Sequence, residues 1–323
     1  MKIGVVVIGR NEGERLRRCL ESVPGSAVKL VYVDSGSTDG SADVARGLGA
    51  EVVDLDMSVP FTAARARNAG FRRLLESASG PRYVQFIDGD CELHPDWIGT
   101  AAAFLDSHPH AAMVCGRLRE RFPERSIYNR LCDTEWDAPA GEARACGGIA
   151  MVRADAFAQM RGFRPDLIAG EEPELCVRLR AAGWNIRRLD AEMALHDAAM
   201  FRFGQWWKRS VRAGYAFAEG AYLHGAPPER HWVRESASAW MWGAFIPLAA
   251  ALATFYMGVA GLFVLAIYPA QVVRLALRGR HALPANWWRA FFLVLGKFPE
   301  LIGQMKFCGS RLTRGRQRLI EYK

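Results

Sequence analysis

The chain has 323 residues, of which 50% are hydrophobic and 24% are charged. This composition excludes a disordered, collagen-like or low-complexity protein and is enough for about two domains. The net charge of +8 is uneven, because residues 1–235 hold 31 Lys and Arg against 32 Asp and Glu, whereas residues 236–323 hold 11 against 2. That distribution argues against a protein that binds nucleic acid through its body and favours a basic tail at an anionic surface.

The first ninety residues alternate short apolar runs with helical spacing, which predicts strand–helix–strand units and a mainly parallel sheet. The predicted elements are, in chain order, strand Ile3–Ile8, helix Glu12–Val23, strand Leu30–Val33, helix Ala42–Leu48, strand Glu51–Leu55, helix Phe61–Leu75 and strand Tyr83–Ile87. The first apolar run is too short for a signal peptide, so the chain is expected to begin in the cytoplasm. The seven cysteines form no C-x-x-C pair, which indicates a reducing compartment.

The pattern is less regular after the fourth strand. Strands are predicted at Ala111–Cys115 and Ile149–Val152, and a helix at Glu174–Ala182. The stretch Arg117–Ala145 has no clear period and is expected to be a long functional loop.

Ser236–Val273 is a run of 38 residues without Asp, Glu, Lys or Arg. One straight helix of this length would be nearly 60 Å long, at about 1.5 Å per residue, against a bilayer core of about 30 Å. Two membrane spans, near Ala239–Ala253 and Gly258–Val273, are therefore predicted. Basic residues flank both ends, namely Lys208, Arg209, Arg212, Arg230 and Arg234 before the run and Arg274, Arg278 and Arg280 after it. Two crossings would keep both flanks in the cytoplasm. The alternative is a buried helical hairpin of a soluble domain.

Trp287–Phe307 is rich in Trp, Phe and Leu but contains charged residues and a proline, so spanning a membrane would be costly. An interfacial amphipathic helix is predicted there. The basic tail that follows contains Arg311, Arg314, Arg316, Arg318 and Lys323. Such a tail favours anionic membrane lipids.

Two acidic segments follow predicted strands, where a parallel sheet opens toward its ligands. Asp34-Ser35-Gly36-Ser37-Thr38-Asp39-Gly40-Ser41 suits recognition of a ribose or base, and equally suits an ordinary capped turn. Asp88-Gly89-Asp90 presents two carboxylates that are suited to a hard divalent cation.

A third acidic segment, Gly170-Glu171-Glu172-Pro173-Glu174-Leu175, opens a predicted helix. Its carboxylates either complement the helix dipole or supply a general base. His196 follows another apolar segment and is a candidate ligand for a metal or phosphate.

The three segments occur in the order and rough spacing of family-2 glycosyltransferases with the GT-A fold, which residues 1–220 resemble. Arg65-Ala66-Arg67-Asn68-Ala69-Gly70 resembles the family's ARN-x-G segment, and Gly147-Gly148 resembles its acceptor-side glycine segment. The resemblance implies a GT-A catalytic domain over residues 1–235, with a nucleotide-sugar half over about 1–110 and an acceptor half over 111–235. The membrane hairpin would occupy 236–275, and the interfacial helix with its tail 276–323.

The resemblance also implies site residues. Asp34 would contact the nucleoside with Asp39, Arg65 and Asn68 nearby, Asp88 would touch the ribose or the metal, and Asp90 with His196 would hold Mg²⁺ or Mn²⁺ on the donor diphosphate. Glu172 stands where the family has the Asp that acts as base, and Gly147, Gly148, Glu171 and Arg209 would lie on the acceptor side. Gln205-Trp206-Trp207-Lys208-Arg209 matches the processive synthases' Q-x-x-R-W only loosely, which makes processive transfer doubtful.

The expected activity is transfer of a sugar from a nucleotide-diphosphate sugar to a hydroxyl group. One base without a second carboxylate nucleophile implies direct displacement, hence inversion at the anomeric carbon. A hairpin in the inner (cytoplasmic) membrane suggests a polyprenyl-linked glycan acceptor, as in exopolysaccharide assembly.

Two other functions remain open: a catalytically inactive sugar-nucleotide-binding scaffold, and a nucleotidyltransferase. The scaffold is disfavoured by the intact Asp88, Asp90 and Glu172. The nucleotidyltransferase is disfavoured by the loop Gly9-Arg10-Asn11-Glu12-Gly13-Glu14, which has one base and two acids. A NAD enzyme is excluded because G-x-G-x-x-G is missing.

Overall fold

A computed structural model describes residues 3–25, 28–76, 80–279 and 283–313 of the chain. It divides into two compact units. The first takes in the residues up to Pro123 together with Glu135–Ala199, and the second takes in Glu124–Thr134 and the residues from Met200 onward.

The first unit is built on one mixed sheet of nine strands, in the order β3-β2-β1-β4-β8-β6-β9-β5 with β7 on β9. The strands are β1 Ile3–Gly9, β2 Val28–Asp34, β3 Glu51–Asp54, β4 Tyr83–Asp88, β5 Cys91–Leu93, β6 Ala111–Glu120, β7 Gly141–Glu142, β8 Ala150–Arg153 and β9 Asn185–His196. The strands β3, β2, β1 and β4 are parallel, and β8 runs antiparallel to both β4 and β6. The prediction of an α/β fold with a largely parallel first half is confirmed.

The register brings the acidic strand ends to one edge of the sheet. Gly9 at the end of β1 pairs with Asp34, and its neighbour Ile8 pairs with Asp88. The central parallel strands β1 and β4 are almost wholly buried, because apolar residues such as those of β1 face helices on both sides. Carboxyl ends that share an edge form the ligand-binding crevice of open α/β sheets.

Helices cover the sheet or lie on its connections. They are α1 Glu14–Glu21, α2 Ser41–Gly47, α3 Ala63–Leu75, α4 Trp97–Ser107, α6 Ala154–Gln159 and α7 Glu171–Ala181, while α5 Ile127–Trp136 belongs mostly to the second unit. Helix α3 approaches β1 closely at Gly70, where an added Cβ would lie 2.3 Å from Cγ1 of Val6. Because only glycine permits this approach, the contact fixes which side chains of α3 face the edge of the sheet.

The prediction of a long loop over Arg117–Ala145 is wrong. Strand β6 continues to Glu120, α5 forms a helix inside the stretch, and β7 pairs with β9. The sequence of α5 shows no helical periodicity of apolar residues, because the residues that the helix buries are Asn129 and Cys132. The amide of Asn129 accepts a hydrogen bond from the backbone N–H of Met200 (3.0 Å), so a polar residue occupies a core position.

The second unit is helical. Its elements after α5 are α8 Phe203–His224, α9 Val233–Trp240, a π-helix Met241–Phe245, α10 Ile246–Met257, a 3₁₀-helix Gly258–Ala266, α11 Ile267–Leu277, α12 Leu283–Leu295 and α13 Lys297–Leu312. Where the sequence predicts one amphipathic helix over Trp287–Phe307, two helices meet at Gly296. Helix α13 packs on α8, and the rings of Tyr215 and Phe307 are 5.4 Å apart. Arg280 and the basic residues from Arg314 to Lys323 lie outside the described residues.

The apolar run forms a helical hairpin. The chain turns at Gly258, whose φ of 64° places it in the region that favours glycine. The second arm then packs against the first, since an added Cβ at Gly261 would lie 2.1 Å from the backbone nitrogen of Thr254. Further along, the hydroxyl of Tyr268 donates to the carbonyl of Trp242.

The hairpin exposes a large apolar surface. Val233–Leu277 has the length and composition of a membrane-crossing helix, with a mean hydropathy of 2.1 in its most apolar stretch. Near the turn, Phe255 and Phe263 are each 81% exposed. Contiguous exposed patches of this kind mark interaction surfaces in proteins.

Candidate active site

A buried arginine joins three acidic side chains at the edge of the sheet. The Nη1 atom of Arg67, on α3, donates to Oε1 of Glu172 (2.7 Å) and to Oε1 of Glu171 (2.9 Å). Its Nη2 atom donates to Oδ1 of Asp88 at 2.8 Å. The Arg67 side chain is only 3% exposed, whereas that of Asp88 is 37% exposed. The cluster therefore connects a buried cation to the surface of the crevice.

The cluster changes the acidity of its members. Burial favours the neutral form of Arg67, but Asp88, Glu172 and Glu171 overcome this and raise its pKa. Burial and the neighbouring charge of Glu171 raise the pKa of Glu172 to about 7, against the opposing effect of Arg67. A carboxylate with a pKa near 7 is suited to accept a proton at neutral pH.

Gly148 lies directly against the cluster. A Cβ added there would lie 2.4 Å from Nη2 of Arg67 and 3.1 Å from Oε1 of Glu172. Gly147, by contrast, faces open space. Any side chain at position 148 would displace the ion cluster, so the second glycine of the predicted pair has a steric reason to be glycine.

Asp90 and His196 lie together, as the sequence predicts for a metal site. Oδ2 of Asp90 is 3.3 Å from Nε2 of His196. Their approach follows from the sheet, because Cys91 at the start of β5 pairs with His196 at the end of β9. Two ligand atoms at about 2.1 Å from one ion and at a right angle to each other are about 3 Å apart, so this spacing fits Mg²⁺ or Mn²⁺.

A third potential ligand, Cys91, belongs to the same group of side chains. Burial raises the pKa of the Cys91 thiol well above its ordinary value, so the thiol stays protonated. It donates a hydrogen bond to Oδ1 of Asp90 at 3.3 Å. The group accordingly offers one carboxylate and one imidazole, a donor set that suits a hard or borderline cation.

His196 has further neighbours that orient it. Oε2 of the buried Glu120 lies 3.9 Å from its Nδ1 atom, and burial raises the pKa of Glu120. The ring of Trp136 packs edge-on against the imidazole, with the ring centroids 4.7 Å apart. Packing against Trp136 restricts the rotation of the imidazole ring.

The loop after β2 is organised by its two aspartates. Oδ2 of Asp34 accepts from the backbone N–H groups of Gly36 (3.0 Å) and Ser37 (2.7 Å). Asp39 accepts from the N–H of Gly13 at 3.0 Å, which ties this loop to the loop after β1. Burial raises the pKa of Asp39, but the hydrogen bonds from Ser41 and Gly13 outweigh it and hold the pKa below its ordinary value.

Arg65 and Asn68, on α3, bind backbone groups. The guanidinium of Arg65 donates to the carbonyls of Asp56 (2.8 Å), Val59 (2.7 Å) and Pro60 (2.8 Å). The amide of Asn68 donates to the carbonyl of Phe163 (2.7 Å) and accepts from its N–H (3.0 Å). Both side chains shape the wall of the crevice.

A cavity of about 450 Å³ opens between the end of β3 and α3. Its wall contains Asp54, Asp56, Arg65, Asn68, Arg72 and Pro165. The backbone N–H of Leu55, in the same wall, donates to the carbonyl of Asp34 at 2.9 Å. One residue of the cavity wall is therefore hydrogen-bonded directly to Asp34 at the end of β2, and the volume of the cavity is in the range of a small-molecule site.

Two other predicted residues have different surroundings. Glu174 forms a bidentate ion pair with Arg178, one turn later on α7, and so stabilises that helix. Arg209 lies on α8 in the second unit. The predicted site residues that the first unit brings together are accordingly Asp88, Gly148, Glu171 and Glu172 in one cluster, and Asp90 with His196 in another.

Arg67 is the residue that the sequence analysis missed. It lies in the segment Arg65–Gly70, two positions after Arg65, which the resemblance assigns to the nucleotide side. The available signal was the spacing within this segment, since Arg67 directly precedes Asn68 as in ARN-x-G.

Residues 4–161 match the protein family described as glycosyl transferase family 2. The chain is 25% identical over 225 residues to the glycosyltransferase AglE of Haloferax volcanii. This alignment covers 66% of this chain and 71% of AglE. The mannosyltransferase PcManGT of Pyrobaculum calidifontis, solved with GDP-Man and Mn²⁺, has a similar fold at 19% identity and a TM-score of 0.63. That alignment covers 94% of this chain and 86% of the other. Residues 1–349 of TarS from S. aureus align with a TM-score of 0.52 at 15% identity, over 97% of this chain and 92% of theirs.

These similarities agree with the geometry of the first unit. The structural neighbours share its fold, and the family match spans β1 to α6, which includes Asp34, Arg67, Asp88 and Asp90. Glu172 and His196 lie beyond the matched residues, so their roles depend on the geometry described above.

Proposed function

We propose that this chain, which belongs to glycosyl transferase family 2 through residues 4–161, transfers a sugar from a nucleotide-diphosphate sugar to an acceptor hydroxyl with inversion of the anomeric carbon. The observation that carries the proposal is the cluster around Arg67. It joins Asp88, at the end of a central parallel strand, to Glu172, whose pKa is raised to about 7. A donor-side carboxylate and a base thereby share one edge of the sheet.

The nucleoside of the donor would bind at the ends of β2 and β3. Support comes from the cavity of about 450 Å³ beside Asp34, and from the wall that Arg65 and Asn68 form. Asp39 would act indirectly, because its carboxylate holds the loops after β1 and β2 together.

Asp90 and His196 would hold Mg²⁺ or Mn²⁺. Such an ion would neutralise the charge that develops on the leaving diphosphate. Within the protein, Cys91 donates to Asp90, and the ring of Trp136 packs against His196, so each proposed ligand has a neighbour that limits its movement.

Glu172 would remove the proton from the acceptor hydroxyl as the hydroxyl oxygen attacks the anomeric carbon. The bond to the nucleotide diphosphate breaks as the new glycosidic bond forms, and the proton stays on Glu172. A single displacement inverts the anomeric centre. Arg67 would hold the base in place through the hydrogen bond to Oε1, which the absence of a side chain at Gly148 permits, and the open space at Gly147 would leave room for the acceptor.

The second unit would anchor the chain in the inner (cytoplasmic) membrane, with the catalytic unit in the cytoplasm. Each arm of the hairpin, Val233–Met257 and Gly258–Leu277, is long enough for a bilayer core of about 30 Å. Arg234 precedes the first apolar stretch and Arg274 and Arg278 end the second, which favours both ends on the cytoplasmic side. Anionic lipids would pair with these arginines.

A membrane anchor favours an acceptor that is itself held in the membrane. We therefore assign a polyprenyl-linked glycan as the acceptor class, as in exopolysaccharide assembly. The raised pKa of Glu172 supports a catalyst over a binding scaffold, since a scaffold gains nothing from a buried acid that is partly protonated at neutral pH.

A donor screen tests the proposal. Full-length protein purified in detergent would be incubated with Mn²⁺ and a panel of UDP-, GDP- and dTDP-sugars, and release of nucleotide diphosphate would be measured. GDP-mannose belongs in the panel because PcManGT was solved with it. Release from one donor is expected, and Asp90→Asn should need about 10-fold more Mn²⁺, or more than that, to reach its half-maximal rate. No release from any donor, with or without membrane lipid extract, would contradict the proposal.

A further inference from the structure

A second, smaller cavity lies in the first unit, between β6, β9 and the residues that end α5. Its volume is about 140 Å³, and it is lined by Arg117, Leu118, Arg119, Trp136, Asp137 and Arg188. Since a water molecule occupies about 30 Å³, the space equals about four or five waters, which is enough for a phosphate group. Three arginines against one aspartate give the lining a net charge of +2.

The strand geometry explains how three arginines come together. Arg117 and Arg119 are two positions apart on β6, so they lie on the same face of the strand. Arg188 lies on the neighbouring strand β9. The pairing of β6 with β9 shifts register on both sides of Arg117. Register shifts of this kind bend a strand and redirect its side chains, and they are frequent beside active sites.

The cavity borders the proposed metal site through Trp136. The Nη2 atom of Arg188 donates to the carbonyl of Trp136 at 2.7 Å. The ring of the same tryptophan packs against His196, with 4.7 Å between the ring centroids. A group bound in the cavity would therefore be separated from the metal site by one aromatic side chain.

The acidic partners of Arg117 are solvent-exposed and weakly held. Arg117 pairs with Asp190 and with Glu192, both of which are well exposed to solvent. Surface pairs of this kind are weak and are readily exchanged for a stronger anion.

We propose that this cavity binds a phosphate group of the acceptor substrate. The inference rests on the proposed function, in which the donor diphosphate is held at Asp90 and His196. The ring of Trp136 lies between the cavity and His196, so the cavity is distinct from the proposed metal ligands. The nucleoside loop is farther away, because β1, β4 and β8 separate β2 from β6 by roughly 20 Å at about 4.8 Å per strand. A phosphate-bearing lipid such as a prenyl diphosphate is the ligand class that fits.

Binding without turnover tests the proposal. Farnesyl diphosphate would be titrated into the full-length protein in detergent with EDTA present, and nucleotide diphosphate would be titrated separately with Mn²⁺. Arg188→Gln and Arg119→Gln are each expected to weaken farnesyl diphosphate binding by about 10-fold or more, because each removes a charged hydrogen-bond donor. Binding of nucleotide diphosphate should stay within about twofold of wild type.

Two comparisons make the test specific. Arg82, the residue before β4, is exposed and pairs with Asp106. The control substitution Arg82→Gln should leave both affinities unchanged. Farnesol, which has the same chain without phosphate, should bind equally to wild type and to the Arg119→Gln variant. If Arg188→Gln does not fold, Arg188→Lys and Arg117→Gln replace it, with the same expected direction.

Three results would overturn the proposal. In the first, both cavity variants bind farnesyl diphosphate as wild type does. In the second, their farnesyl diphosphate affinity falls no more than that of Arg82→Gln. In the third, a cavity variant loses affinity for nucleotide diphosphate alone. The last would assign the cavity to the donor. A failure of the proposed function is separate, because it would appear as wild-type protein that releases no nucleotide diphosphate from any donor.

Discussion

The guanidinium of Arg67 donates to Oε1 of Glu172 across 2.7 Å, and the Arg67 side chain is almost completely buried. The same guanidinium holds Asp88, which lies on the side of the crevice assigned to the donor. One cation therefore links the proposed base to the donor side. A substitution at Asp88 is therefore expected to alter the electrostatic environment of Glu172, and the reverse, because buried charges are poorly screened.

Replacing Arg67 is expected to damage both stability and transfer. Arg67→Met leaves three carboxylates without their cation, and breaking a buried ion pair costs about 3–5 kcal/mol. Urea unfolding should show that loss, and transfer should fall with it. Arg67→Lys should be milder in stability but should still transfer at least about 100-fold more slowly, because an ammonium does not reproduce the planar fork. Arg73→Lys, an exposed arginine of the same helix, is the matched control and should behave like wild type.

Transfer should rise with pH through the range set by Glu172. The base acts in its ionised form, and its pKa is raised to about 7, so kcat/KM should increase up to about pH 7 and then level off. A profile that is flat from pH 5 to 8 would show that Glu172 is not the titrating base. The measurement is the initial rate at subsaturating acceptor in constant-ionic-strength buffers.

The raised pKa of Glu172 also affects the stability of the fold. Transfer should rise with pH, whereas the stabilisation from this group falls as the pH rises. A raised pKa means that the folded protein holds the proton more tightly than the unfolded chain. The stabilisation from this group is therefore complete below the ordinary pKa of 4.5 and is lost as the pH rises to about 7. Glu172→Gln removes that dependence. Its free energy of unfolding, relative to wild type, should improve between pH 5 and pH 7.5, whereas an unchanged difference would contradict the assigned shift.

Metal removal is expected to abolish transfer. With Asp90 and His196 as ligands, EDTA should stop turnover, and Mn²⁺ or Mg²⁺ should restore it. Asp90→Asn and His196→Gln should each raise the Mn²⁺ concentration needed for half-maximal rate by about 10-fold or more. His94→Gln, an exposed histidine beside Asp96, should leave that concentration unchanged. Full activity in EDTA would refute the proposed metal site.

The hairpin model predicts the topology of the second unit. Single cysteines at Glu235 and Arg278 should react with a membrane-impermeant maleimide only from the cytoplasmic side, after Cys308, which is exposed, is changed to serine. A cysteine at Tyr256, beside the turn at Gly258, should react from the outside. Opposite accessibility of positions 235 and 278 would indicate one crossing, and a protein that is freely soluble without detergent would indicate none.

The parallel half of the fold was predictable because its strands are buried on both faces and appear as continuous apolar runs. The acidic strand ends followed from the same pattern, since chain order alone places them at one edge of the sheet. Strand β9 was harder to predict. It is only partly buried and contains Arg187, Arg188, Asp190 and Glu192, so its polar positions hide the alternation that marks a strand.

The choice between Arg65 and Arg67 shows where sequence reasoning about the site ended. Both residues lie on the same helix. The ARN-x-G spacing matches Arg67, but it does not tell which of the two side chains faces β4. The packing of Gly70 on Val6 settles the rotation of α3, and it places Arg67 against Asp88 while Arg65 binds loop carbonyls. A tertiary contact, which local pattern does not contain, decided the assignment.

The most direct test compares donor binding with transfer in the Glu172→Gln variant. Gln keeps the size of the side chain and an oxygen for Arg67, but it does not accept the acceptor's proton. Nucleotide-sugar affinity is expected to stay within about twofold of wild type, and transfer is expected to be at least about 100-fold slower. The transfer rate should fall less in Glu171→Gln. It should be unchanged in Glu76→Gln, which replaces an exposed acid. Near-normal transfer by Glu172→Gln, with its donor affinity intact, would contradict the assignment of Glu172 as the catalytic base.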